Sequence, residues 1–301
     1  MWADCIKVGI DARKEILKRC RLLAPFIPPE VNGRRWEDYP TEEIAASIAF
    51  FEFKPGERWH SFEGYGEKQY FVDPNKLMLT TPGIDPETGE YEKFGIPAMI
   101  LATYLRENRI IPEKNDLNSI LFLLTPAEMP EKMERLVSQL EEFEQVIRQD
   151  LPLREVLPAL YKDHEERYEG YTLRQLCQEM HDYYKSQDAA ACQKKLFRSE
   201  HFPVRAMTPQ DANWELVRNK ARLVKIDDIV GEIALEGALP YPPGIYCVVP
   251  GERWNETAQK YFQILEGSVN RFPGFALEIQ GVYLEEEDGR MKACGYVLNQ
   301  S

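Results

Sequence analysis

Apolar residues recur along this chain in two rhythms, and the switch between them marks its elements. Met133, Leu136, Leu140, Phe143 and Ile147 step by three and four. That period puts them on one face of an α-helix, the clearest amphipathic segment in the sequence. Pro130 resets its first turn, and Leu151-Pro152 closes it. Trp2 to Ala24 reads as another helix, with Ile6, Ile10, Ile16, Leu17, Cys20 and Leu23 along one side and Pro25 as its stop. The apolar pattern is already under way at Trp2 with no capping residue before it, as expected of a segment from inside a longer protein.

Gly95 to Glu128 is the most informative stretch. Pro97 suits a first helical turn, and Ile100, Leu101, Tyr104 and Leu105 share one face. Asn108 is expected to end this helix in the left-handed region. Ile110-Ile111 begin an extended segment that Pro112 confines to an edge or an end. Ser119 to Leu124 is almost wholly apolar and predicts a buried strand. Thr125-Pro126-Ala127-Glu128 has capping-box spacing and predicts a helix start. A charged turn, Glu113-Lys114-Asn115-Asp116, separates the two extended segments.

Elsewhere, Pro25 to Pro40 predicts turns, Thr41-Glu42-Glu43 a short helix toward Ala49, and Phe50 to Phe53 a strand. Lys54 to Gln69 reads as a glycine-bearing loop, and Lys76 to Thr81 as a strand. Thr172 to Gln175 is a second capping box, leading Leu176, Met180 and Tyr184 down one face. Asp188, Thr208-Pro209 and Asn255 open further helices. Ile245 to Val249 predicts a buried strand, and a hairpin turning at Asp288-Gly289 closes the chain. A domain boundary is expected near Asp150.

The chain has 301 residues, 44% of them hydrophobic, which is enough for about two domains. Its net charge of −13 disfavours a nucleic-acid or anionic-membrane partner. No apolar run approaches the roughly 18 residues of a membrane span, and no signal-peptide pattern opens the sequence. Six cysteines without a C-x-x-C pair read as reduced thiols in a cytoplasmic protein. Gly64-Tyr65-Gly66 falls short of a dinucleotide fingerprint, and His164-Glu165 lacks the second histidine of a zinc helix. The four histidines give no metal signature, and Trp59 and His60 are expected to pack structurally.

Several long words carry a resemblance. They are Phe71-Val72-Asp73-Pro74, Thr80-Thr81-Pro82-Gly83-Ile84-Asp85, Tyr171 through Asp182, and Glu236-Gly237-Ala238-Leu239-Pro240-Tyr241-Pro242-Pro243-Gly244. With Gly95 to Glu128, they closely resemble the bacterial ornithine, lysine and arginine decarboxylases that use pyridoxal phosphate, the ornithine branch above all. The resemblance implies an α/β fold: the small domain of a fold-type-I enzyme followed by an α+β C-terminal domain. Residues 1–46 would be the helix and linker leaving the large domain, 47–150 the small domain, and 151–301 the C-terminal domain. Members of that family are more than twice this length, so the chain resembles their C-terminal part.

The resemblance also assigns roles. Glu113 matches the glutamate that holds the distal amine of ornithine; on the residues alone, an exposed ion pair with Lys114 is the expected reading. From the residues and not the resemblance, Glu236 precedes a proline-fixed segment that contains Tyr241; it reads first as a packed turn, and otherwise as a means of placing a side chain at a cleft or subunit boundary. The cofactor's lysine belongs upstream of the matched words, so the resemblance implies no catalytic, cofactor-binding or metal residue here and no pyridoxal phosphate on this chain alone. The expected activity is that of a portion of an ornithine decarboxylase, converting ornithine to putrescine and carbon dioxide only when completed. Its expected partners are ornithine or another basic amino acid, further copies of itself, or a complementing large-domain chain. The alternatives are half of a split enzyme, or a non-catalytic regulatory protein using a leftover dimer surface.

Overall fold

The apolar run at Ser119–Leu123 is an inner strand, flanked by hydrogen-bonded neighbours on both sides. The computed structural model describes residues 1–241, 244–275 and 278–299, so Pro242-Pro243 of the proline-fixed segment lies outside the described residues. The chain divides into two units, Met1–His181 and Asp182–Ser301.

The first unit contains α1 (Trp2–Arg19), α2 (Thr41–Ala46), α3 (Ala98–Glu107) and α4 (Pro130–Gln149). The short α5 (Leu153–Val156), α6 (Pro158–Asp163) and α7 (Glu165–Tyr168) follow, and the unit boundary falls inside α8 (Leu173–Ser186). Its antiparallel sheet runs β1 (Ala24–Pro25), β4 (Lys76–Thr80), β6 (Ser119–Leu123), β5 (Lys114–Asn115), while β2 (Glu30–Val31) and β3 (Arg34–Arg35) form a separate hairpin. Leu77 faces Phe122 and Leu79 faces Ile120 across β4 and β6. The two leucines are fully buried, whereas Lys76, Met78 and Thr80 between them are not, as the two-residue strand period requires. Ile10 and Ile16 of α1, Leu101 and Leu105 of α3, and Leu140, Phe143 and Ile147 of α4 are equally buried. Each such side chain stabilises the fold by about 1.5–3 kcal/mol.

Four local expectations change in this unit. First, α1 stops at Arg19, because the N–H groups of Arg21, Leu22 and Leu23 turn to the Glu144 carboxylate at 2.7–2.9 Å. Second, Asn108 is not left-handed; Arg109 is, with φ 61°, and this lets the Ile110 N–H reach back to Leu105 O at 2.8 Å. Third, Thr125–Glu128 makes a turn rather than a helix start, and α4 begins at Pro130. A residue before proline is pushed out of the helical region, and Met129 is extended with ψ 151°, so no helix could run from Pro126 through it. Fourth, Phe50–Phe53 is not a strand. Ile48–Phe51 is one 3₁₀ turn whose aromatic rings pack around buried Trp36, and the Trp36 indole donates to Phe50 O at 2.9 Å.

The capping box at Thr172–Gln175 forms as expected, each residue's N–H bonded to the other's side chain at 3.0 and 3.2 Å. Leu176, Met180 and Tyr184 are buried behind it.

The second unit holds α9 (Ala189–Leu196), α10 (Pro209–Val217) and α11 (Glu256–Arg271). Thr208 and Asn255 cap α10 and α11 with their side chains; Asp188 precedes α9 in a left-handed conformation and makes no side-chain cap. A three-stranded antiparallel sheet runs β12 (Tyr283–Glu287), β13 (Arg290–Leu298), β8 (Ala221–Lys225). Asp288 and Gly289, both with positive φ, make the tight hairpin turn between β12 and β13. Two smaller pairs join β7 (Val204–Arg205) to β10 (Glu252–Arg253), and β9 (Leu239–Tyr241) to β11 (Glu278–Gln280). Ile245–Val249 is not a strand. The N–H groups of Cys247 and Val248 both bond to Ala238 O, a single bridge that leaves Ile245 and Tyr246 exposed.

Candidate functional site

Glu113 sits just outside β5, after the turn that ends α3. Its N–H donates to Leu121 O at 2.8 Å, which extends the β5–β6 ladder by one residue and fixes the backbone there. Its side chain is exposed and makes no hydrogen bond or ion pair with another described residue. The expected ion pair with Lys114 is absent, because successive side chains in an extended segment leave on opposite faces. Glu113 is therefore a carboxylate on a rigid edge, free to accept a cation.

The far end of the same hairpin is tightly anchored. Leu117 O accepts the first helical N–H of α3, from Ala98, at 2.9 Å. The Asn118 amide donates to Pro82 O at 2.7 Å and to Ile96 O at 3.3 Å. These bonds hold the Thr81-Pro82-Gly83 turn against Ile96. A Cβ at Gly95 would overlap the His181 ring, and one at Gly83 would stand 3.1 Å from its Nδ1. His181 is buried, and its Nε2 meets Glu92 O at 3.0 Å. Two of the long sequence words, at 80–85 and 171–182, thus meet around one histidine.

Glu236 and Tyr241 belong to the second unit, and Glu113 to the first. Glu236 is half-buried and accepts the Tyr283 hydroxyl at 2.8 Å. That hydrogen bond, then burial, pushes the Tyr283 phenol up to about 12. Tyr241 ends β9 half-exposed, with its ring against Gly244, whose N–H donates to Pro240 O at 2.9 Å.

Sequence reading missed three built features. Arg13 is buried and donates to Gly9 O at 3.0 Å and Lys76 O at 2.9 Å; burial lowers its pKa to about 10, so it stays charged at neutral pH. Glu144 is the buried anchor of 21–23. Tyr246 is exposed where a buried strand was expected. All six cysteines are free and buried, and burial pushes the Cys20 and Cys247 thiols up to about 12. Among the described residues, no cluster of three or more His, Cys, Asp or Glu side chains could hold a metal ion, and no helix is long and apolar enough to cross a membrane.

Comparison with known proteins gives two family matches: "Orn/Lys/Arg decarboxylase, major domain" over residues 1–132, and "Orn/Lys/Arg decarboxylase, C-terminal domain" over 190–299. An ornithine decarboxylase from Haemophilus influenzae is 60% identical over 299 residues, covering 99% of this chain and 42% of that protein. An inducible ornithine decarboxylase from Escherichia coli is 58% identical over 298 residues, covering 99% and 41%. The solved structure of lysine decarboxylase A from Pseudomonas aeruginosa superposes with a TM-score of 0.86 at 28% identity, covering 98% of this chain and 39% of that one. The chain thus spans about two fifths of the length of the curated relatives it matches.

Proposed function

Because the chain belongs to the Orn/Lys/Arg decarboxylase family, we propose that it forms the C-terminal part of an ornithine decarboxylase and that Glu113 binds the distal ammonium of ornithine. The observation that carries this reading is the uncommitted Glu113 carboxylate, standing on a backbone locked into the β5–β6 ladder. A fixed carboxylate gives a charge-assisted hydrogen bond to an ammonium at one distance only, which selects for side-chain length as well as charge. Identity of 60% to an ornithine decarboxylase, against 28% to a lysine decarboxylase structure, supports ornithine as the substrate.

Pyridoxal phosphate, the cofactor the family resemblance implies, needs a lysine amine, which proteins activate by burial or a neighbouring cation. Among the described residues no lysine is buried. Hydrogen bonds donated to Glu287 and Glu266 instead raise the pKa values of Lys225 and Lys292, away from a reactive amine. Among the described residues, these lysines do not favour a bond to the cofactor's aldehyde. In this reading the lysine is supplied by sequence outside these 301 residues, on the same polypeptide or a complementing one, and the complete enzyme assembles from more than one copy. Residues 1–46 are then the helix and linker from the large domain, 47–150 the small domain and 151–301 the C-terminal domain. The free cysteines favour a reducing, cytoplasmic setting.

The test is to incubate the purified chain with pyridoxal phosphate and ornithine, reduce with borohydride, and map any adduct by mass spectrometry. The expected result is no stoichiometric lysine adduct and no release of carbon dioxide. A stoichiometric adduct on one lysine, with turnover, would overturn the assignment of the cofactor site to other sequence.

A further inference from the structure

We propose that the second unit carries a binding site for a primary alkylammonium group, formed by Glu236, Tyr246 and Tyr283. This site is separate from Glu113 and does not rest on the role given to it. Two glycines build it. A Cβ at Gly237 would overlap Cε1 of Tyr246, so the missing side chain lets that ring lie against the backbone beside Glu236. A Cβ at Gly281 would overlap Gly237 O, so the segment leading into Tyr283 crosses the same peptide at close range. The Tyr246 ring and the segment leading into Tyr283 therefore both pack on Gly237, the residue next to Glu236.

The chemistry of that carboxylate selects the ligand. One oxygen, Oε2, accepts the Tyr283 hydroxyl at 2.8 Å. The other has no partner, and no cation pairs with Glu236, among the described residues. Tyr246 and Tyr283 are 54% and 42% exposed, so both offer surface near Glu236. Tyr296 meets the Tyr283 ring edge to face at 5.2 Å and holds its orientation. An accessible carboxylate bonded to one tyrosine, with a second tyrosine packed on the next residue, attracts a cation through both a charge-assisted hydrogen bond and the ring faces. A guanidinium docks best on both carboxylate oxygens at once, and the Tyr283 hydroxyl competes with it for Oε2. An ammonium is a point charge and needs only the remaining oxygen. The Tyr283 hydroxyl remains a donor at neutral pH, since Glu236 raises its pKa to about 12.

The ammonium has two sources, a free aliphatic amine or a lysine side chain of a second copy, and the experiment separates them. Butylamine, 1,4-diaminobutane and methylguanidine are titrated into the full chain by ligand-observed NMR, and self-association is followed by sedimentation. Saturable binding of both amines, weakened about 10-fold or more by Glu236→Gln and about 3-fold by Tyr246→Ala, supports a free amine. Self-association that Glu236→Gln abolishes and 1,4-diaminobutane competes supports a lysine of a second copy. In either case Tyr283→Phe should keep amine binding and add methylguanidine binding, because it frees the second oxygen. Glu286→Gln, an exposed acidic change on β12, controls for bulk charge, and a thermal melt of each variant controls for folding. No saturable amine binding together with no Glu236-dependent association, or equal losses in Glu236→Gln and Glu286→Gln, would overturn the proposal.

Discussion

The carboxylate of Glu144 accepts the main-chain N–H of Leu22 at 2.7 Å from a position on α4 with no solvent exposure. It also takes the N–H groups of Arg21 and Leu23, and Arg148 stands 3.4 Å from its other oxygen. Consecutive N–H groups turned to one side make a concave anion site, here filled by the protein's own side chain. The bond ends α1, starts the path into β1, and ties both to α4.

Glu144→Gln should therefore destabilise the chain well beyond an ordinary surface change. It keeps the volume but removes the charge that three main-chain N–H groups share, so we expect a loss of about 2–3 kcal/mol. Urea denaturation with an unchanged m-value would read this directly. A midpoint equal to wild type would remove Glu144 as the anchor.

Gly95 and His181 should behave as a coupled pair. Gly95→Ala places a Cβ on the buried imidazole and is expected to cost about 1–3 kcal/mol from overpacking. His181→Ala makes room but gives up the bond to Glu92 O. The double variant should be more stable than the sum of the single losses predicts, a non-additivity characteristic of contacting residues. Strict additivity in denaturation midpoints would contradict the packing described here.

His60 should make stability fall in mild acid. Its Nδ1 accepts the Phe62 N–H at 3.2 Å, so Nε2 carries the proton toward the Tyr65 hydroxyl at 3.0 Å, which in turn donates to Lys54 O at 3.2 Å. Phe53, Trp59 and Phe62 surround the ring. Burial lowers its pKa below the usual 6.5, and the negative charge of Glu57 only partly opposes this. The unfolded chain thus takes up a proton that the folded chain resists. The contribution of His60 is complete above about pH 6.5 and is lost as the pH falls through the lower folded value. The stability difference between pH 7.5 and 5.5 should be smaller in His60→Gln than in wild type. An equal difference would show that other groups set the acid response.

The legibility of these features in sequence follows their range. Thr172 and Gln175 are three residues apart, and a capping box needs nothing from the rest of the chain. The box at Thr125–Glu128 had the same spacing and failed, because Pro130, just beyond it, forces Met129 out of the helical region. Glu144 falls one turn after Leu140 and beside Phe143, so a carboxylate on the apolar stripe was visible; its partners at 21–23 were not, since no local pattern links them. Gly95 and His181 both lie in distinctive words, but spacing alone cannot pair residues so far apart. Tyr246 reads as part of an apolar strand, and only the single bridge to Ala238 turns it outward. Glu113 was found through family resemblance; its freedom from Lys114 needed the strand alternation seen in the structure.

A chimera in which these residues replace the matching 299 of the Haemophilus influenzae ornithine decarboxylase tests the role of Glu113 directly. Catalytic efficiency is compared for ornithine and for norvaline, which lacks the distal amine, with and without Glu113→Gln. A charged hydrogen bond contributes about 1.5–3 kcal/mol, so efficiency for ornithine should fall by about 10- to 150-fold while that for norvaline barely moves. Equal losses for both substrates, or no loss for ornithine, would contradict the assignment of Glu113 to the distal ammonium.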